Sequence, residues 1–170
     1  MHRHNDISTK RDTIIYVQRL NRRTLKQDTV LDKFLQHLAI ENNINYERFS
    51  DDISIDGNRN LNDTVLLFQR SVLVIGAHGA GLSNILFAQP NTSIIEIQCP
   101  PPWTASTFRH VSYKLGMRFH SVMGHPIDGL DPLSQRPTTI HCDKGLKIHN
   151  MDMLKRTVVD MLAMTLKDVR

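Results

Sequence analysis

Val72-Leu73-Val74-Ile75-Gly76-Ala77-His78-Gly79-Ala80-Gly81-Leu82-Ser83-Asn84 is the most informative stretch of this chain. Its first four residues form an unbroken aliphatic run, the composition of a strand covered on both faces of a parallel sheet. Gly76 to Gly81 breaks that run, and Leu82 to Ala88 resumes with helical spacing until Gln89-Pro90-Asn91 stops it. The unit reads as strand, glycine-rich turn, helix.

The flanking sequence repeats the alternation. Upstream, Thr13-Ile14-Ile15-Tyr16-Val17 predicts a strand, Thr24 to Asn42 an amphipathic helix, Ile44 to Phe49 a second strand, Asp51 to Asn60 a polar loop and Leu61 to Gln69 a short helix. Downstream, Ser93 to Ile97 predicts a strand, Ala105 to Leu115 a helix and Arg118 to Val122 a further strand. From Gly124 to Gly145 the composition predicts an irregular loop, with a short strand at Thr139 to His141, before a closing helix at Met151 to Leu166. Strands alternating with helices predict an α/β fold: a Rossmann-like, doubly wound, mostly parallel sheet.

Length and composition bound the rest. The 170 residues, 40% hydrophobic and 22% charged, suit one globular domain over 1–170, with a core over about 13–166 after a polar start at 1–12. Lys and Arg number 21 against 17 Asp and Glu, but these basic residues are spread along the chain, so no nucleic-acid partner is expected. Cys99 and Cys142 are the only cysteines, which excludes a disulfide scaffold and a four-cysteine zinc site and leaves one bridge open. The histidines at 110, 120, 125, 141 and 149 lack the tight spacing of a zinc site, and no metal site is expected. Neither a signal peptide nor a membrane-spanning segment is legible in the letters. Asn62-Asp63-Thr64 and Asn91-Thr92-Ser93 are sequons, making Asn62 and Asn91 candidate glycosylation sites if the chain reaches the secretory lumen.

Glycines between a buried strand and a helix let backbone approach a ligand, and the helix start offers N–H groups to an anion. Gly79, Ala80, Gly81 and Leu82 are therefore candidate phosphate contacts, and His78, at a strand's carboxyl end, is a candidate donor to a phosphate oxygen or a base carbonyl. The glycine spacing is not G-x-G-x-x-G, no P-loop occurs, and no G-x-S-x-G elbow holds a nucleophilic serine. Arg19, Arg22 and Arg23 follow the first strand and belong to the same sheet edge, where guanidinium forks match phosphate oxygens; the alternative is solvated surface charge. Glu96, inside an apolar run, is either a contact for ribose hydroxyls or an edge residue facing water. Trp103 reads as packing or as a stacking platform, and Asp51, Asp52, Asp128 and Asp131 as solvated turn residues.

These residues together resemble glycosyltransferase family 61. The similarity lies in His78-Gly79-Ala80-Gly81-Leu82-Ser83-Asn84 with Leu86-Phe87, in Pro90 and Ile94-Ile95-Glu96-Ile97, in Tyr16-Val17-Gln18-Arg19 with Arg22-Arg23-Thr24-Leu25, and in Tyr113-Lys114-Leu115-Gly116-Met117-Arg118-Phe119. It covers residues 13 to 125 in order. Lys26 stands where the family usually has Asn, and the gap between Arg19 and the later pair is short, so Arg22 and Arg23 are not separated as the matching residue.

The resemblance implies an inverting transferase of GT-B architecture, in the EC 2.4 class, moving xylose or N-acetylglucosamine from a UDP-sugar to a glycan or protein hydroxyl. It implies that this chain is the C-terminal, donor-binding half, with Arg19 and Arg22 as candidate diphosphate clamps, His78 to Leu82 as the phosphate turn and Glu96 as a ribose or uridine contact. No metal or other cofactor is expected, since cations and helix N–H groups stabilise a leaving diphosphate. The acceptor domain is expected to lie outside the chain, and with it the general base; no catalytic residue is assigned. Family members of this kind work in the Golgi or endoplasmic reticulum lumen on glycoprotein acceptors. The alternative is an inactive UDP-sugar-binding module or fragment without transferase activity.

Overall fold

A computed structural model describes residues 10–50, 59–100, 106–127 and 145–169. Five parallel strands form one sheet: β1 (Thr13–Gln18), β2 (Asn45–Ser50), β3 (Ser71–Ala77), β4 (Ser93–Gln98) and β5 (Arg118–Met123), in spatial order β2-β1-β3-β4-β5. Among the described residues four α-helices accompany them: α1 (Asp28–Asn42), α2 (Leu61–Gln69), α3 (Thr107–Lys114) and α4 (Met151–Val169). The fold is α/β and Rossmann-like, as the alternation predicts.

The apolar runs of β1, β3 and β4 exist because both sheet faces are covered. Ile14, Tyr16, Leu73, Ile75, Ile95 and Ile97 pack against α1 and α4, through Leu31, Leu35, Leu38, Leu154, Val158 and Leu162. Ile15, Val17, Val74 and Ile94, the alternating residues, face Phe68, Leu82, Ile85 and Phe108 on the other side.

This strand order contains one reversal. The chain runs outward from β1 to β2, returns across β1 to β3, and then continues outward through β4 to β5. Neighbouring β1 and β3 thus send their following segments in opposite directions, which opens a crevice at their carboxyl ends, the place where such sheets bind ligands. Arg19 follows β1, and His78 and Gly79 follow β3.

Four local readings are corrected. First, α1 starts at Asp28 rather than Thr24, because the backbone of 24–26 pairs with a distant strand residue. Leu146 N donates to Thr24 O at 2.8 Å, and Lys26 N to Leu146 O at 2.7 Å. Secondly, Gly76 belongs to β3 and not to the turn. It lies opposite Val17 of β1, where a Cβ would come within 2.7 Å of Val17 O, so this close pairing requires glycine. Thirdly, residues after the turn form a 3-10 helix, Ala80–Phe87. Three residues per turn bring Leu82 and Ile85 into line on the core, while Leu86 is 58% exposed. Fourthly, α3 is shorter and α4 longer than expected.

The sequence also missed a two-stranded antiparallel ladder, β6 (His125–Pro126) with β7 (Leu146–Lys147). It sits beside the start of α1, where the Gln27 amide donates to Ile148 O at 2.7 Å and accepts from Ile148 N at 3.0 Å. Asp51, Asp52, Trp103, Asp128, Asp131, His141, Cys142 and the strand expected at 139–141 lie outside the described residues.

Candidate functional site

Four of the residues singled out in the sequence meet at the β1/β3 crevice. The guanidinium of Arg19 lies directly over Gly79, where a Cβ would sit 2.1 Å from Arg19 Nη1. Gly79 itself has φ 164° and ψ 178°, an extended backbone open to any residue, so its lack of a side chain is what admits the arginine. Arg19 Nε also donates to Arg22 O at 3.4 Å.

Arg22 and Arg23, inseparable in the sequence, diverge in space. Arg22 is exposed, whereas Arg23 is half-buried, holds a left-handed backbone at φ 55° and donates from Nη1 to His78 O at 3.2 Å. A non-glycine residue in that region carries strain, which occurs most often where a side chain is being aimed. Two guanidiniums therefore flank the backbone at 78–79. Beyond it the 3-10 helix begins, with Leu82 N donating to Gly79 O at 3.1 Å.

The His78 ring rests at 5.3 Å between centroids from Phe108 of α3, and its Nδ1 lies 2.5 Å from Glu96 Oε1. Gln98 Nε2 donates to the other oxygen, Glu96 Oε2, at 2.5 Å. Glu96 is 0% exposed on β4, between β3 and β5, so it is not an edge residue facing water. Both of its oxygens meet protein side chains, and the group that reaches the crevice is His78, 26% exposed.

Asp28, which sequence reasoning passed over, stands at the first turn of α1 beside the end of β1. It accepts from Tyr16 Oη at 2.5 Å and from Gln18 Nε2 at 2.6 Å. Burial, followed by this carboxylate, pushes the Tyr16 phenol well above its usual range and keeps it a donor at any working pH. The residues at 16, 18 and 28 form no pattern within one element, so only the folded chain brings them together.

Elsewhere, Asn62 is exposed in the first turn of α2, and Asn91 is exposed in a left-handed turn, φ 65°, before β4. Cys99 is disulfide-bonded. A cavity of about 620 Å³ lined by Lys10, Arg11, Asn43 and Asp168 lies at the opposite, amino-terminal edge of the sheet, away from the crevice. Among the described residues, no three His, Cys, Asp or Glu side chains are placed to hold a metal ion, and no helix is long and apolar enough to cross a membrane.

Against known proteins, the family model described as Glycosyltransferase 61 matches residues 1–95. No curated protein matches the chain. Among solved structures, it is similar to a point mutant of a flavo di-iron protein from Thermotoga maritima, at 11% identity and TM-score 0.48 over 93% of this chain and 35% of that one. It is also similar to a glycerate dehydrogenase related protein from Thermoplasma acidophilum, at 9% identity and TM-score 0.42 over 96% of this chain and 57% of that one. The chain thus spans about a third of the first and little more than half of the second.

Proposed function

The chain belongs to the glycosyltransferase 61 family, whose model matches more than half of it, and from that premise we propose that it is the donor-binding half of a glycosyltransferase that uses a UDP-sugar. The diphosphate sits in the β1/β3 crevice between Arg19 and Arg23, over the backbone of His78 to Leu82. One observation carries this reading: two guanidiniums, placed by different contacts, converge on a glycine-bearing turn at the carboxyl edge of the sheet.

In an inverting transfer, an acceptor hydroxyl attacks the anomeric carbon from the face opposite the nucleotide. The new C–O bond forms as the bond to the β-phosphate oxygen breaks, and negative charge gathers on the departing diphosphate. Arg19, Arg23 and the free N–H groups at the start of the 3-10 helix supply preorganised positive potential there, so no metal ion is required. The base that takes the hydroxyl proton comes from an acceptor half in a GT-B arrangement. The donor sugar is xylose or N-acetylglucosamine, and the acceptor a glycan or protein hydroxyl.

The secretory lumen of the Golgi or endoplasmic reticulum is the matching compartment. A disulfide at Cys99 persists only under oxidising conditions, and exposed Asn62 and Asn91 stand ready as glycan acceptors. Secreted from a eukaryotic host, the chain should shift to lower mass on enzymatic removal of N-linked glycans.

Calorimetry with UDP, GDP and ADP, in the presence of a metal chelator and at two salt concentrations, tests the site. Selective UDP binding that survives the chelator supports it. Failure of a folded chain to bind any of the three nucleotides overturns a donor site confined to this chain.

A further inference from the structure

Glu96 and Gln98 are alternate residues of β4 and project from the same sheet face as Ile94, into the layer that holds Phe108. There the Glu96 carboxylate is fully buried, and buried carboxylates persist where hydrogen-bond donors meet their oxygens. Gln98 Nε2 donates to Oε2, and the partner of Oε1 is His78 Nδ1. Since a carboxylate only accepts, Nδ1 carries the proton of that bond. In the neutral ring Nε2 is then a lone pair, and among the described residues it has no hydrogen-bond partner.

We infer that Glu96 is a positioning residue that fixes His78 as the Nδ1–H tautomer, so that Nε2 accepts a hydrogen bond from an O–H or N–H of the nucleoside in the donor. The inference rests on the nucleotide-site reading above and reverses the role first expected of this histidine, a donor to a phosphate or base carbonyl. It also divides labour at the crevice. Arg19 and Arg23 meet anionic oxygens, and His78, with the opposite hydrogen-bonding sense, meets a neutral donor group on the ribose or uracil. A phosphate oxygen offers no proton to Nε2 and gains nothing from it.

Nitrogen-15 NMR of the imidazole at about pH 8 reads the tautomer of the unsubstituted protein directly, with His78→Asn identifying the signal. The expected result is a protonated Nδ1 and a bare Nε2, with Glu96→Gln shifting the ring toward the Nε2–H form. A ring protonated on Nε2, alone or on both nitrogens, overturns the inference. Binding of 2′-deoxy-UDP, 3′-deoxy-UDP and N3-methyl-UDP identifies the donor group. One analogue should bind the native chain about tenfold or more weakly than UDP, a difference that His78→Asn abolishes. Equal affinity for UDP and all three analogues overturns the ligand half of the inference. A chain that binds no UDP sinks the nucleotide-site reading, while the NMR result still decides the tautomer.

Discussion

At the scale of the residue, arginine positions matter more than arginine count. Arg19 reaches the turn over Gly79 and Arg23 at His78 O, whereas Arg22 contributes its carbonyl to Arg19 and leaves its own side chain in solvent. Replacing Arg23 by Ala, or Arg19 by Ala, should weaken UDP binding by about 1.5–3 kcal/mol, the range for a charge-assisted hydrogen bond. Arg22→Ala should change it by less than about 0.5 kcal/mol, as for a solvated surface group. Titration calorimetry on the three variants checks this, and equal losses in all three would contradict the placement. Gly79→Ala tests the same contact from the other side. A methyl group there collides with the Arg19 guanidinium, the far end of a flexible side chain, which swings away at little cost to the fold. The expected outcome is a thermal midpoint close to that of the parent and UDP affinity reduced about tenfold, as if Arg19 itself had been trimmed.

At the scale of the element, the junction before α1 combines the backbone pairing of residues 24–26 with Leu146 and one side-chain amide. Gln27 is matched to both backbone groups of Ile148, which is 4% exposed. Gln27→Ala leaves a buried N–H and C=O unpaired and should cost about 1–3 kcal/mol, with faster hydrogen exchange at the Ile148 amide as the local readout. That junction also marks how far a sequence can be read. The strands were legible because a parallel sheet covered on both faces needs near-continuous apolar runs, and Ile14-Ile15 or Ile94-Ile95 leave no other reading. The start of α1 was not legible, since Leu146 pairs with Thr24 and Lys26, and Ile148 with Gln27, across more than a hundred residues and no local pattern records it. Both periods bring Leu82 and Ile85 to one side, so the letters give a helix without its kind, and the exposure of Leu86 tells the two apart. The site divides likewise. His78 and Gly79 stand out as letters, whereas the pairing of His78 with Glu96, neighbours only through the β3–β4 register, and the role of Asp28 required the fold.

At the scale of the whole molecule, the sheet separates two poles. The carboxyl edge holds the left-handed Arg23, the partly exposed His78 and the glycine-bearing turn. At the amino edge, beside the cavity, charges are held in mutual contact. Asp12 there accepts from Arg70 Nη2 at 2.8 Å and Nε at 3.2 Å and from Thr13 Oγ1 at 3.0 Å, while its backbone carbonyl accepts from Asn45 N at 2.7 Å. One residue thus joins β1, β2 and the end of α2. Burial alone would raise the Asp12 carboxyl, but the hydrogen bonds from Arg70, Thr13 and Asn45 outweigh it and hold the group below the usual aspartate range. A carboxyl depressed in the folded chain contributes stability that is fully present above the unfolded value, about 3.9, and is lost as pH falls through the lower folded value. Asp12→Asn should therefore lower stability at pH 7 by about 1–2 kcal/mol, discounted because Arg70 is 41% exposed. The variant should also lose less stability than the parent on acidification below about pH 4. Thermal unfolding across pH 2–7 measures both effects, each kcal/mol moving the midpoint by about 2–4 °C. Because Asp12 lies at the pole away from the crevice, UDP affinity at neutral pH should be unchanged in the same variant. A fall in affinity alongside the fall in stability would mean that the two poles are coupled through β1, the strand that ends at Arg19.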